Sequence, residues 1–189
     1  MEAFIISFFV VATAEIGDKT QLLALCLAAR FRKPAPIIFG ILAATLANHF
    51  AAGFIGQWVA GLLSDHVLHY LLAASFFAAT VWAFIPDKLD EEACETATHK
   101  GVFITTLITF FIAEIGDKTQ LATVALAAQF HSLLAVVTGT TLGMMAANVP
   151  AVLLSHSITK RVSLKLVRTL SGILFAGLGI YELSKILMK

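Results

Sequence analysis

The chain alternates long apolar runs with short polar segments, in a spacing that is typical of transmembrane helices. A helix needs about 20 predominantly apolar residues to cross the hydrocarbon core of a bilayer. Six runs are long enough, and the sixth is the weakest because Glu182 and Lys185 lie near its end. The runs are residues 3–29, 35–63, 67–85, 101–129, 133–154 and 169–188. The pattern predicts an all-α membrane protein with six transmembrane helices.

Proline and charge mark the ends of these runs. A basic segment followed by Pro34 ends the first run, and Pro86 closes the third, because proline cannot continue the helical hydrogen-bond ladder. Residues 87–100 form the only long polar stretch, which divides the chain in half. We predict a first three-helix repeat at residues 1–86, a cytoplasmic linker at 87–100 and a second three-helix repeat at 101–189.

The composition agrees with a chain whose solvent is lipid. Of its 189 residues, 59% are hydrophobic and only 13% are charged, whereas about 25% are charged in a soluble domain. A net charge of +1, with no basic stretch interleaved with aromatic residues, gives no indication of a nucleic-acid partner. The first run lacks a basic n-region and an A-x-A-like site near its end, so we expect a mature transmembrane helix rather than a removed signal peptide.

The second half of the sequence repeats the first at an offset of 99 residues. Residues 14–31 match residues 113–130 at 13 of 18 positions without gaps, and Gly40 meets Gly139 at the same offset. Each half holds three predicted helices, an odd number, so the second half would enter the membrane from the opposite side. This predicts two inverted-topology repeats, an arrangement in which a substrate site lies near the membrane midplane.

The repeated block AEIGDKTQL places two carboxylates in the middle of an apolar run, at Glu15 and Asp18 and again at Glu114 and Asp117. The two acids of each copy are three residues apart, so we predict that they share one helix face. One charge at the bilayer centre costs about 2.5–3.5 kcal/mol, so these groups are expected to face inward and to find partners. Each copy also carries a lysine, which leaves a formal charge of −2 on the two copies together.

A residual charge of −2 matches one divalent cation. Carboxylate and amide oxygens suit calcium, manganese or magnesium, and the cysteine and histidine that copper and zinc prefer are absent from the motif. The carboxylates can also bind protons, so a single site could hold a metal ion and protons by turns. No cofactor is expected beside the transported ions.

Other polar groups in the apolar runs complete the candidate site. Gly17 and Gly116 would weaken the helix and free backbone carbonyls, and the threonine of each motif could bond back to the helix backbone. Asn48 aligns with Asn148 if one residue is inserted. The predicted metal ligands are Glu15, Asp18, Gln21, Asn48, Glu114, Asp117, Gln120 and Asn148.

Simpler interpretations of the motif remain open. Glu15 and Lys19 are four residues apart and could form an intrahelical ion pair, and an aspartate of one half could bind the lysine of the other as structural glue. The lysines could instead extend away from the site toward the interface. The two asparagines could hydrogen-bond between helices.

Lysine and arginine predict the orientation, because cytoplasmic loops carry an excess of them. The opposite face carries two, Lys185 and Lys189. The basic residues after the first, third and fifth runs are Arg30, Arg32, Lys33, Lys88, Lys100, Lys160, Arg161, Lys165 and Arg168. Residues 87–100 should therefore be cytoplasmic and both termini outside.

The duplicated Glu-x-Gly-Asp-Lys-Thr block resembles the signature of a known family, the Golgi calcium/manganese–proton exchangers of eukaryotes with their chloroplast and bacterial relatives. The resemblance covers both motif runs and the six-helix plan. It implies proton-driven efflux of divalent cations from the cytoplasm, with the motif acids carried over onto Glu15, Asp18, Glu114 and Asp117. It further implies a bacterial inner (plasma) membrane exporter of manganese, with calcium as the second choice. Nothing indicates an oligomer.

Three other functions fit the pattern less well. An exporter of a small organic substrate such as an amino acid could use the lysines for the substrate carboxylate. An intramembrane aspartyl protease would need a glycine-x-glycine-aspartate pattern, but Glu15 and Glu114 stand where the first glycine belongs. For a non-transporting assembly factor there is no positive feature. Because the protease pattern is not met, we do not expect an enzyme.

Overall fold

The protein is all-helical in the residues that the structure describes. The structure, a computed structural model, describes residues 1–85, 101–154 and 164–188, with the backbone alone for 164–167. The predicted linker at 87–100 lies outside these residues. Within them there are eight helices and no strand: α1 Glu2–Glu15, α2 Lys19–Phe31, α3 Pro34–Leu62, α4 Asp65–Ala83, α5 Val102–Glu114, α6 Lys118–Phe130, α7 Leu133–Leu153 and α8 Leu164–Leu187.

Four helices in the described part of the chain are long and apolar enough to cross a membrane, judged by length and composition. They are α3, α4, α7 and the Arg168–Leu187 part of α8, and they correspond to four of the six predicted runs. The other two runs, 3–29 and 101–129, are not continuous helices. Each is divided into two shorter helices at the repeated motif, so the prediction that the motif acids share one helix face is wrong.

The break between α1 and α2 follows from three residues of the first motif. α1 ends at Glu15, Ile16 is extended, and Gly17 has a φ of 78°, a conformation that costs glycine little because it has no Cβ. Asp18 then caps α2 by accepting a hydrogen bond from the Thr20 backbone N–H at 3.3 Å. The chain thus leaves one helix and starts the next within the motif.

The second motif forms the same break between α5 and α6. Ile115 is extended, Gly116 has a φ of 75°, and Asp117 caps α6 by accepting from the Thr119 backbone N–H at 3.2 Å. Sequence identity between the two motifs is therefore accompanied by the same local backbone.

Helix packing repeats between the halves. α1 packs on α7 and α5 packs on α3, while α4 packs on α8 and α3 on α7. The glycines matched by the repeat lie at these contacts. A Cβ on Gly40 would lie 2.9 Å from the Phe103 carbonyl oxygen of α5, and a Cβ on Gly139 would meet the Phe4 carbonyl of α1. Both positions need glycine because two helices approach closely there.

The distribution of side chains is that of a protein surrounded by lipid. Large apolar residues lie on the outside, among them Phe39, Phe54, Trp58, Val81 and Ile173. Polar residues lie inside, including all four motif carboxylates. Without water outside the helices, an inward-facing polar group must be satisfied by the protein or by a substrate.

The two charges that weaken the sixth run are accommodated by local pairing. Glu182 of α8 is fully buried; one of its oxygens lies 2.6 Å from Nδ1 of His69 in α4, and the other accepts from Nζ of Lys185 at 3.1 Å. Glu182 therefore joins α8 to α4 through His69 instead of meeting lipid.

We predict that Gly116→Ala destabilises the protein by about 1–2 kcal/mol, the cost of a Cβ in the left-handed region. No atom stands within 4 Å of the added Cβ, so strain alone is tested. Gly61→Ala is the matched control, since Gly61 lies in α3 with equally open surroundings, and a helical alanine should add up to about 1 kcal/mol. Thermal unfolding in detergent measures both. Equal effects of the two substitutions would contradict the requirement for positive φ.

Candidate metal centre

The two helix breaks bring three carboxylates together in the interior. Glu15, Glu114 and Asp117 each offer one oxygen, and these oxygens lie within 4.8 Å of one another. All three side chains are buried. Three acidic groups this close in an apolar interior repel one another unless protons or a cation neutralise them. The arrangement therefore offers a cation an oxygen-lined site.

Threonine hydroxyls hold one oxygen of each glutamate. Thr20 Oγ1 donates to Glu15 Oε2 at 2.6 Å, and Thr119 Oγ1 lies 3.3 Å from Glu114 Oε2 and 3.0 Å from Asp117 Oδ2. The other oxygens, Oε1 of Glu15 and Oε1 of Glu114, are buried and accept no hydrogen bond from the described residues. Each glutamate is thus oriented by one oxygen and presents the other.

Sequence reasoning missed this role of the threonines. The expectation that they bond back to the helix backbone is wrong for the motif pair, because the Thr20 hydroxyl reaches Glu15 and the Thr119 hydroxyl reaches Glu114, each across the break. The exact repetition of threonine five residues after glutamate was the available signal, but its meaning depends on the interrupted backbone.

Both motif glutamines stabilise the breaks. The Gln21 side-chain oxygen accepts from the Gly17 backbone N–H at 2.8 Å, and Gln120 does the same for Gly116 at 2.7 Å. Gln21 also donates through Nε2 to the Ala147 carbonyl of α7 at 2.9 Å. Their amide oxygens, which were predicted as metal ligands, are therefore directed at the backbone.

The motif lysines pair across the halves. Lys19 Nζ lies 3.2 Å from Asp117 Oδ1, and Lys118 Nζ bonds Asp18 Oδ1. Each lysine thus meets the aspartate of the other motif. Asp18, a predicted ligand, is engaged in this way and is not one of the three clustered carboxylates.

The two predicted asparagines have different surroundings. Asn48 donates from Nδ2 to the Phe111 carbonyl of α5 at 3.1 Å and so ties α3 to α5. Asn148 donates from Nδ2 to Met144 of its own helix at 3.1 Å, while its Oδ1 is buried without a hydrogen-bond partner among the described residues. Asn148 therefore has an oxygen to offer.

Comparison with known proteins agrees with the site chemistry. The family model "Divalent cation/proton antiporter GDT1" matches residues 3–91 and 102–188. A Vibrio cholerae protein named "Putative manganese exporter" is 50% identical over 176 residues, which are 93% of this chain and 87% of that protein. No solved structure matches.

More distant relatives extend over nearly the whole chain. "GDT1-like protein 3" of Arabidopsis thaliana is 28% identical over 95% of this chain and 69% of its own length. A GDT1-like protein of Synechocystis is 27% identical over 93% of both. The family resemblance predicted from the motif is confirmed, and with it a membrane transporter rather than an enzyme.

We predict that the asparagines separate metal binding from stability. Asn148→Leu removes an available oxygen and should weaken divalent-cation binding roughly tenfold, the loss expected even for an outer partner of a metal ligand. Asn48→Leu removes one interhelical hydrogen bond and should cost about 0.5–1.5 kcal/mol of stability with little change in binding. Metal titration and thermal unfolding of the purified variants measure the two effects. Weaker binding in Asn48→Leu alone would reverse the assignment.

Proposed function

The chain belongs to the GDT1 family of divalent cation/proton antiporters, and from this premise we propose that it exports Mn²⁺ from the cytoplasm in exchange for protons. Divalent cation transport follows from the family. The choice of manganese is supported by the name of the Vibrio cholerae relative, and calcium is the second candidate because the oxygen donors suit both ions.

The observation that carries this proposal is the buried cluster of three carboxylates between two interrupted helices. We propose that Glu15, Glu114 and Asp117 bind the ion through the clustered oxygens, with Asn148 Oδ1 as a further ligand. Asp18, Gln21, Asn48 and Gln120 then act around the site, through the contacts described above.

The architecture we propose has six spans. Each interrupted pair, α1–α2 and α5–α6, forms one span whose break lies near the midplane, as in transporters built from inverted repeats. Helix packing that repeats between the halves supports this arrangement. The excess of basic residues after the first, third and fifth spans supports an inner-membrane protein with residues 87–100 in the cytoplasm and both termini outside.

Proton exchange follows from carboxylate chemistry. A carboxylate must lose its proton to bind a metal ion, so the site can hold the ion or protons but not both. Protons arriving from an acidic exterior displace the metal there, and the neutralised site returns toward the cytoplasm. Rocking of one bundle against another would give each side access in turn.

An amino-acid exporter is disfavoured by the lysines. Such a site would use an ammonium group to bind the substrate carboxylate, but Lys19 and Lys118 each contact a motif aspartate. No described contact favours a substrate with a carboxylate over a cation.

We predict that Glu15→Gln and Glu114→Gln each reduce Mn²⁺ transport by about tenfold or more, because each keeps the side-chain shape but removes a charge from the cluster. The protein should remain folded and inserted. Glu2→Gln is the matched control, since Glu2 is an exposed carboxylate at the start of α1. Manganese tolerance of cells and uptake into proteoliposomes measure the effect. Normal manganese tolerance in either variant would count against the site.

We predict that outward metal flux is accelerated by an acidic exterior and is accompanied by proton release into the cytoplasmic side. A liposome assay with a metal-sensitive dye and a pH-sensitive dye follows both fluxes together. The double variant Glu15→Gln/Glu114→Gln should abolish both. Metal flux with no proton countermovement and no response to the gradient would indicate a uniporter or a channel.

A further inference from the structure

The two ion pairs between the motifs have the same chemistry but different surroundings. Lys118 and Asp18 form a pair whose side chains are 4% and 0% exposed, whereas Lys19, which contacts Asp117, is 31% exposed. Asp117 also belongs to the carboxylate cluster, and Asp18 does not. The site therefore has one buried lysine–aspartate pair and one that opens toward the protein surface.

We propose that the two lysines act as tethered counter-ions, and that Asp18 and Asp117 alternate as the third carboxylate of the ion site. The inference deepens the proposed function and rests on it. In the conformation described, the ion pair with Lys118 prevents Asp18 from binding the ion. Asp117 becomes available to the ion once the Lys19 side chain moves away from it. In the opposite conformation the roles are exchanged, with Asp18 in the cluster and Asp117 held by a buried Lys19.

Identity of the two motifs is the first argument for alternation. Their nine residues are the same, so the unequal burial of the two lysines comes from the surrounding helices and not from the motifs. Inverted repeats permit a second conformation in which the halves exchange environments. A ligand then needs to bind only the shared glutamates and whichever aspartate is released.

The lysine side chain is suited to this exchange. Its ammonium group is a compact charge on a flexible four-carbon stem, and the exposed part of Lys19 gives it a direction in which to withdraw. When the metal leaves, the returning lysine compensates an aspartate that would otherwise be a bare charge inside the membrane. The lysine thus competes with the ion and assists its release.

A cavity of about 10 Å³, no larger than one water molecule needs, adjoins the buried pair. It lies beside the pair, at the break after α1, and is lined by residues of α1, α4, α6 and α8 as well as the break itself. These residues include Gly17, Asp18, Lys118, Arg168 and Ser171. Helices from both halves therefore meet at the buried pair, so a movement of one half against the other would change the surroundings of Asp18.

Two variants of the full chain test the alternation. Lys118→Met removes the competing charge and should tighten Mn²⁺ binding by about tenfold or more, given the Coulomb attraction of a released carboxylate, with slower transport because release is hindered. Asp18→Asn/Lys118→Met removes the whole pair without changing net charge. It should bind Mn²⁺ like the wild type through Asp117. It should lose transport, because the asparagine that replaces Asp18 cannot serve as the third carboxylate in the opposite conformation.

The controls separate this inference from the proposed function. Lys33→Met removes an exposed lysine outside the site and should change neither measurement. If Lys118→Met fails to fold, Lys19→Met tests the same competition at the more exposed lysine. Binding is read by Mn²⁺-dependent thermal stabilisation in detergent, and transport by flux into proteoliposomes.

Two results would overturn the alternation. One is wild-type transport by Asp18→Asn/Lys118→Met, which would show that the pair serves only to stabilise the fold. The other is unchanged or weaker Mn²⁺ binding in the folded lysine variant. In either case a wild-type protein that binds and transports Mn²⁺ would leave the proposed function intact. A wild-type protein with neither metal stabilisation nor flux would instead refute the proposed function itself.

Discussion

The cost of ionised groups away from water is the constraint on which the rest of the structure depends. Four carboxylates and two lysines lie in segments that are otherwise apolar, and each would be costly if it faced lipid. All four acids are buried, each aspartate contacts the lysine of the other motif, and each glutamate is bonded by a threonine. Because the lysine–aspartate contacts join the two halves, the charge that a cation needs also holds the halves together in this conformation.

In the six-span arrangement proposed above, breaking a helix inside the membrane raises a second cost, which the motif also meets. Irregular backbone at membrane depth is tolerated where protein side chains satisfy its polar groups. The aspartate of each motif caps the following helix, and the glutamine accepts from the glycine N–H in the break. The repeated sequence thus contains both the residues that interrupt the helix and the residues that satisfy the backbone groups at the interruption. Each break in turn places a glutamate at the end of one helix and an aspartate at the start of the next, beside the opposite motif.

The sequence predicted the apolar runs, the duplication and the acidic residues, because each depends on composition or local pattern. It did not predict the helix breaks, since glycine in a helical run can be a weak helical position or a turn at positive φ, and only tertiary packing decides.

The asparagines show a further limit. At the strict offset of 99, Asn148 aligns with His49 and Asn48 with Ala147. At this offset the two asparagines stand one residue apart in α3 and α7, which are both continuous helices there. One residue rotates a helix by roughly 100°, which explains why Asn48 joins two helices while Asn148 keeps a buried oxygen without a hydrogen-bond partner among the described residues.

A transporter site also has to release what it binds, and this sets a limit on how much negative charge it can present. Conduction and transport need a site that is favourable enough to enter and weak enough to leave. Without the lysines, four bare carboxylates in one buried interior would attract a divalent ion strongly, and they would be unstable once the ion had left. Two lysines inside the same structure reduce the residual charge to −2, the value that one divalent ion neutralises. Because each lysine is carried by the same motif as the acids, duplication of the motif duplicates the compensation as well. In the proposed ion site the lysines are therefore as much a part of the ion chemistry as the carboxylates are.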